Sequence, residues 1–278
     1  MAITVKHIFI HPVKSMAGQM VEEAVLTVDG LAGDRQFVVV NEKGKFRTAR
    51  ECPSLVVVKA VTVDGFLILS LPNGRSISIP LPSHVKELKK IKLWDDNVTG
   101  VDMGDDAACW LSDYLGKTSR LIAIADKSIR QGKYKGTPKS FSDAAPLLLT
   151  SDASLNDLNR RLSVPVLDRN FRPNIVVAGE MEPFAEDFWD EIKIGDISMQ
   201  VAWGCSRCIL TTVDPLTGTK SDDMEPVKTL KTFRTAADKN FYFGQNIIPQ
   251  TQGIIHVGDE VEIVSVREKA LYAADALL

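Results

Sequence analysis

Val21-Glu22-Glu23-Ala24-Val25-Leu26-Thr27-Val28 stops at Asp29-Gly30, and Gln36-Phe37-Val38-Val39-Val40-Asn41 stops at Glu42-Lys43-Gly44. Each run is short, apolar and β-branched, and each closing group tolerates the backbone of a tight turn. The pair therefore reads as strands of an antiparallel sheet. The same reading extends in both directions. Residues 1–10 alternate like an opening strand, and runs at 55–61 and 66–71 are punctuated by Asp64-Gly65 and Pro72-Asn73-Gly74. Strands so closely spaced predict a barrel or sandwich.

Beyond them the period changes. In Asp105–Leu115 the apolar positions 107, 110, 111, 114 and 115 recur at helical spacing, and Cys109 falls in that helix, where core packing is its expected role. A second helix fits 151–162, with Ser151 or Asp152 as N-cap and Leu155, Leu158 and Leu162 on one face. The polar stretch 128–142 reads as a mobile or ligand-covering loop. Strands return at 174–177, 192–201 and 257–264. The expected architecture is α+β and mostly β: a β-barrel-like unit over 1–122, then a second β-barrel-like unit with attached helices over 123–278.

A chain of 278 residues can bury one large core or two ordinary ones. Its 45% apolar and 25% charged residues match a soluble globular protein. A net charge of −3 gives no ground for nucleic acid or an anionic membrane as a bulk partner. No apolar run approaches the ~20 residues that span a bilayer, and the first residues lack the apolar stretch of a secretory signal. The reading is a cytoplasmic protein whose four cysteines stay reduced.

Two of those cysteines sit in Cys205-Ser206-Arg207-Cys208, directly before Ile209-Leu210-Thr211-Thr212-Val213-Asp214-Pro215, which reads as a strand. Thiols three apart suit a soft metal or a redox pair. A structural zinc site needs further close ligands, but Cys52 and Cys109 are isolated and His7, His11, His84 and His256 form no close pair. An iron–sulfur site would need all four thiols at unusual spacings, and a thioredoxin-type pair belongs at a helix N-terminus. A buried pair with no chemistry is the plain alternative.

Five clusters place basic residues beside hydroxyls, glycines or prolines: His11-Pro12-Val13-Lys14-Ser15, Gly30-Leu31-Ala32-Gly33-Asp34-Arg35, Arg47-Thr48-Ala49-Arg50, Asp168-Arg169-Asn170-Phe171-Arg172-Pro173-Asn174, and Ser206-Arg207. Guanidinium and ammonium groups in strand-end loops suit a phosphate, although each cluster alone also fits a solvated loop. Arg172, between Phe171 and Pro173, is expected to be partly buried and so to need anionic partners. Asp143 and Asp214 are candidate acids; Asp214 reads rather as a turn residue before Pro215, and Trp189 as packing. No phosphate-binding glycine loop follows a strand.

In order along the chain, Pro12-Val13-Lys14-Ser15, Gly33-Asp34-Arg35, Phe141-Ser142-Asp143, Asn170-Phe171-Arg172-Pro173-Asn174, Ala185-Glu186-Asp187-Phe188-Trp189, the 205–215 stretch and Phe243-Gly244-Gln245-Asn246 resemble one family. It is the MOSC-domain family, named for the molybdenum cofactor sulfurase C-terminal domain. Within it the chain is similar to the bacterial YcbX proteins and the mitochondrial amidoxime reducing components. The resemblance covers nearly the whole chain. It implies a MOSC N-terminal domain and a MOSC domain holding a molybdenum cofactor, molybdopterin with its metal, between them.

By this resemblance Cys208 is the molybdenum ligand, one thiolate completing a metal already held by two dithiolene sulfurs, and Cys205 stands beside it as support. Lys14, Ser15, Arg35 and Arg172 would bind the cofactor's phosphate and pterin, with Ser206 and Arg207 along it. Ser142, Asp143, Thr150, Ser151 and Asn174 complete the implied cofactor contacts. The implied activity is reduction of hydroxylamines, amidoximes and N-hydroxylated bases to amines or amidines, a detoxification chemistry in which Asp143 or solvent delivers the proton. Neither pyridoxal phosphate nor an iron–sulfur cluster on this chain is implied. The ferredoxin domain of some bacterial relatives and the anchor of the mitochondrial ones are not seen, so electrons are expected from a separate ferredoxin, flavoprotein reductase or cytochrome b5-like partner. The enzyme is expected as a monomer. The alternative is a cofactor carrier or sulfur-transfer protein with a persulfide on Cys208.

Overall fold

The computed structural model describes residues 2–82, 88–125, 137 and 139–270. The loop expected at 128–142 lies largely outside them. The first half supplies β1 (Thr4–Ile10), β2 (Gln19–Val21), β3 (Glu23–Thr27), β4 (Gly30–Leu31), β5 (Phe37–Val40), β6 (Lys59–Val63), β7 (Phe66–Ser70), β8 (Ser76–Pro80), β9 (Leu88–Leu93), β10 (Asp96–Asp102) and β11 (Arg120–Ile124), with α1 (Asp105–Leu115) before β11. The second supplies β12 (Leu147–Ser151), α2 (Asp152–Arg160), β13 (Ile175–Ala178), β14 (Trp189–Ile194), β15 (Ile197–Ser206), α3 (Val227–Phe233), β16 (Tyr242–Pro249), β17 (Gly253–His256) and β18 (Val261–Val266). The fold is α+β and mostly β, as the turn-punctuated runs require.

Helix α1 forms where the period predicts it. Asp105 and Asp106 complement the dipole in its first turn, Gly116 takes the left-handed C-cap at φ 62°, and Ala107, Trp110 and Leu111 are buried. Cys109 is exposed instead of packed in the core. Two residues on from Ala107 is about 200° around the helix, which turns its thiol away from the apolar face. Ser151 caps α2, its Oγ accepting from Ser154 N at 3.1 Å.

Several expected strands are shorter or broken, and the 21–28 run divides at Glu22 between β2 and β3. The 55–61 run begins as a 3-10 turn, Pro53–Val57, because Pro53 pre-sets a helical φ at the first turn. Residues 192–201 split into β14 and β15 around Gly195, at φ 56°. In 257–264 a turn at Gly258 (φ 93°) delays β18 to Val261.

The largest sheet runs β18-β14-β15-β16-β12-β13-β1-β2, antiparallel except for the β12–β13 pair. A three-stranded sheet, β17-β3-β4, lies with it in one core, where Val5, Ile8, Ala24 and Leu26 pack with Leu149, Ile192 and Ile247. The opening 31 residues thus belong largely to the second half's core. The remaining sheets, β5-β11-β10-β9 and β6-β7-β8, enclose a first-half core that includes Val13, Met16, Val39, Leu67 and Trp110. The segment after β1 passes from one core to the other, so Lys14 and Ser15 stand at the junction. Among the described residues no helix is long and apolar enough to cross a membrane.

Candidate active site

At that junction lies a cavity of about 350 Å3. The first half lines it with Lys14, Ser15, Arg35, Arg50 and Trp94. The second half adds Ser142, Asp143, Asn170, Arg172, Asn174, Trp203, Asn246 and the whole of Cys205 to Cys208. Four wall residues, Ser15 (φ 71°), Arg35 (47°), Trp94 (56°) and Arg172 (57°), hold left-handed backbone. Each non-glycine residue in that region costs on the order of 1 kcal/mol or more. Such costs gathered at one cavity mark a wall whose side-chain directions were selected over local ease.

Hydrogen bonds fix those directions. Arg35 N donates to His11 O at 2.7 Å. Its guanidinium binds the Asp34 carboxylate, Asn174 Oδ1 at 2.9 Å and Arg172 O at 3.1 Å. Arg172 Nη1 donates to Met16 O at 2.6 Å, tying the two halves together. Arg207 crosses from the 205–208 segment to donate to Phe171 O, lies 5.1 Å over the Phe171 ring, and donates from Nη1 to Cys205 Sγ at 2.9 Å. Phe171 in turn stacks on Phe243 at 4.0 Å, which makes this side of the wall rigid.

The charge of the wall is unbalanced. Five cations, Lys14, Arg35, Arg50, Arg172 and Arg207, meet the carboxylates of Asp34 and Asp143. Burial, then the charge of Arg35 and of Arg207, brings Arg172 down to about 9 against the pull of Asp34 and Asp143. Buried guanidiniums crowded this way call for an anionic ligand. Arg207 Nε is buried and finds no partner among the described residues.

Asp143 lines the cavity and keeps about half of its side-chain surface. Burial pushes its carboxyl up. The charge and hydrogen bond of Lys14, the Trp94 indole N–H at 2.9 Å and the charge of Arg50 more than reverse this and hold it well below the usual carboxylate range. Lys14 also donates to Phe141 O at 2.9 Å.

Cys208 does not enter a strand. It precedes a 3-10 turn, Ile209–Thr212. The β-branched run folds this way because the Thr211 and Thr212 hydroxyls donate back to Cys208 O (3.0 Å) and Ile209 O (2.8 Å), replacing ladder bonds with local ones. Asp214 is a turn residue, its Oδ1 accepting from Leu216 N at 2.7 Å, and Trp189 is core, 2% exposed.

The cavity therefore gathers Lys14, Ser15, Arg35, Ser142, Asp143, Arg172, Asn174, Ser206, Arg207 and Cys208. Thr150 and Ser151 are not in its lining. Ser151 Oγ is engaged by Ser154 and Glu186 behind β12, while Thr150 Oγ1 is buried without a partner among the described residues. Sequence reasoning overlooked Trp94 and Trp203. The Leu93-Trp94-Asp95-Asp96 hairpin tip carried the first signal, a large aromatic at a turn, and Trp203-Gly204 immediately before the cysteines carried the second. No group of three or more His, Cys, Asp or Glu converges among the described residues, so a metal here would have to arrive with most of its own ligands.

Two family models match this chain, the MOSC N-terminal beta barrel domain over residues 2–118 and the MOSC domain over 136–262. The chain belongs to the MOSC family. Its curated relatives narrow the placement. It is 39% identical to the mouse (Mus musculus) mitochondrial amidoxime-reducing component 1, covering 94% of this chain and 82% of that one. Identity to the human (Homo sapiens) component 1 is 36%, covering 94% and 83%. For the rat (Rattus norvegicus) mitochondrial amidoxime reducing component 2 it is 38%, covering 93% and 82%. These relatives overturn the cytoplasmic location expected from the sequence, since all three are named as mitochondrial. The physical reason is that an import leader is amphipathic and basic, and the lack of an apolar signal stretch says nothing about it.

Proposed function

We propose that this MOSC protein is a molybdenum-cofactor enzyme that reduces N-hydroxylated compounds, such as hydroxylamines and amidoximes, to amines or amidines in mitochondria. The observation that carries the reading is the meeting, in one cavity, of the Cys208 thiol with five cations that outnumber the carboxylates beside them. The pterin cofactor has the complementary features, an anionic phosphate and a metal that brings two sulfur ligands of its own. Arg172, Arg35, Lys14 and the free Nε of Arg207 would hold its anionic end, and Cys208 would complete the metal. The names of the relatives support the activity.

When bound, the cofactor supplies the two-electron chemistry that N–O cleavage requires. The chain's own residues bind and orient. Asp143, kept ionised by Lys14 and Trp94, is an acceptor for an N–H or O–H of the substrate and a poor proton donor near neutrality. The two protons that accompany two electrons in forming amine and water come from solvent through the open cavity. Trp94 and Arg50, with the cation 4.8 Å from the ring centroid, frame the first-half side of the cavity. Electrons come from a separate donor, a ferredoxin, a flavoprotein reductase or a cytochrome b5-like protein, to a monomeric enzyme whose two units divide near residue 122 in sequence, with β1, β3 and β4 packed into the second unit's core.

The test is elemental analysis for molybdenum with release of oxidised pterin, on protein from a host that makes the cofactor. Near-stoichiometric metal and pterin, with reduction of an aryl amidoxime, is the expected result, and Cys208→Ser loses both metal and activity. Folded protein from such a host with neither metal nor pterin would overturn the reading and favour a Cys208 persulfide carrier.

A further inference from the structure

Behind the main cavity is a smaller one of about 40 Å3, lined by His11, Gly18, Arg169, Asn170 and Arg172 among others. Arg172 lines both. His11 is 2% exposed, and its Nε2 lies 3.0 Å from Pro173 O. A carbonyl oxygen only accepts, so Nε2 carries the proton and Nδ1 presents a lone pair. That Nδ1 is buried and has no partner among the described residues. Burial, then the charges of Arg35 and Arg172, keep the ring neutral against the opposing effect of the Pro173 bond.

The main chain of His11 is equally committed. Its N–H donates to Asp34 Oδ1 at 2.8 Å and its carbonyl accepts from Arg35 N at 2.7 Å. The ring clamps the Pro173–Asn174 peptide, one residue on from Arg172, whose backbone is left-handed. Gly18 closes over the imidazole: a Cβ there would lie 2.5 Å from His11 Cε1 and 2.7 Å from Nδ1. An unpaired acceptor beside arginine donors, in a space large enough for a water molecule, is the usual setting of a buried structural water.

We propose that the small cavity is a hydration site whose water donates to His11 Nδ1 and accepts from the Arg169 and Arg172 donors that share it, making His11 the positioning residue that aims Arg172 into the main cavity. Histidine suits this place because it offers one donor and one acceptor without adding charge beside two guanidiniums. The water site stands on geometry alone; its consequence for ligand binding rests on the cofactor reading above.

Two measurements test it. Histidine side-chain 15N–1H spectra of the wild-type protein, with His11 assigned by its loss in His11→Gln, should show the neutral Nε2–H form at neutral pH and an Nδ1 resonance displaced toward that of a hydrogen-bond acceptor. An Nδ1–H form, a charged ring, or an unbonded Nδ1 resonance would overturn the water site whatever any variant does. For the consequence, His11→Phe should lose pterin on dialysis about tenfold faster than wild type, and His11→Gln, which restores a donor and an acceptor, should recover most of the difference. A folded His11→Phe that keeps its pterin like wild type would overturn the positioning role. Wild-type protein without pterin would strike the cofactor reading alone, leaving the spectra to decide on His11.

Discussion

Glu186→Gln should stabilise the protein at alkaline pH and flatten the pH dependence of its stability. Glu186 is fully buried beside β12, where its carboxylate accepts from Ser151 Oγ at 3.0 Å and Ser154 Oγ at 2.7 Å. Burial, opposed by the Ser154 hydroxyl and reinforced by the charge of Asp187, pushes its pKa from 4.5 to about 7. A folded value above the unfolded one means that the folded protein holds an extra proton between the two. The stability this contributes is complete below the unfolded value and is lost as pH rises through about 7. A rise of about 2.5 pH units, at about 1.4 kcal/mol per unit, corresponds to roughly 3 kcal/mol.

The amide cannot ionise and escapes that loss, while giving up about 1 kcal/mol of hydroxyl–carboxylate bonding. Asp187 keeps Arg234 at 2.6 Å and Gln245 at 2.7 Å in both proteins, so its contribution cancels. Urea unfolding near pH 5 and again near pH 8.5 spans most of that change and should therefore show the stability difference between variant and wild type shifting by roughly 2.5 kcal/mol in favour of the variant, with equal m values. Identical pH slopes for the two proteins would refute the claim that Glu186 takes up its proton in the folded state.

Cys205→Ser should keep most reductase activity and bound molybdenum, because its thiol accepts from Arg207 and donates to Ser206 O, bonds that a hydroxyl can also make; loss equal to that of Cys208→Ser, by metal analysis and turnover, would mean that both thiols act at the metal. Arg172→Met should strip the protein of pterin yet lower the thermal midpoint of cofactor-free protein only slightly, since relief of a desolvated cation crowded by Arg35 and Arg207 offsets the lost bond to Met16 O. Gly100→Ala should destabilise by about 2 kcal/mol through overpacking, because its Cβ would lie 2.3 Å from Ile122 Cγ2 and 2.7 Å from Ala123 O across the β10–β11 pair; a denaturation midpoint within error of wild type would refute the clash.

The strands that were plain from the sequence are those whose signal is local. Phe37–Val40 and Phe66–Ser70 carry the β-branched run and its turn within ten residues, and α1 carries its acidic first turn, apolar face and glycine stop. The 55–61 and 209–213 runs misled because propensity speaks of burial and not of backbone: Pro53 and the hydroxyls of Thr211 and Thr212 close turns that a β-branched count does not see. Cys109 misled for a geometric reason, since a residue can belong to an amphipathic helix and still face outward.

The chemistry of the site was legible as residue types: one CxxC, and basic clusters at 11–15, 30–35, 47–50 and 168–174, each carried on a short motif. Their convergence was not legible, because it depends on pairings more than a hundred residues apart, such as Arg35 with Asn174 and Arg172 with Met16. Nor could a string of letters show that β1 and β3 join the sheets of the second half, or that Trp94 reaches Asp143. Sequence patterns report which faces want burial and which turns the backbone tolerates. Which surfaces then meet is set by the summed packing of two cores, and here that packing turned scattered cations toward one cavity.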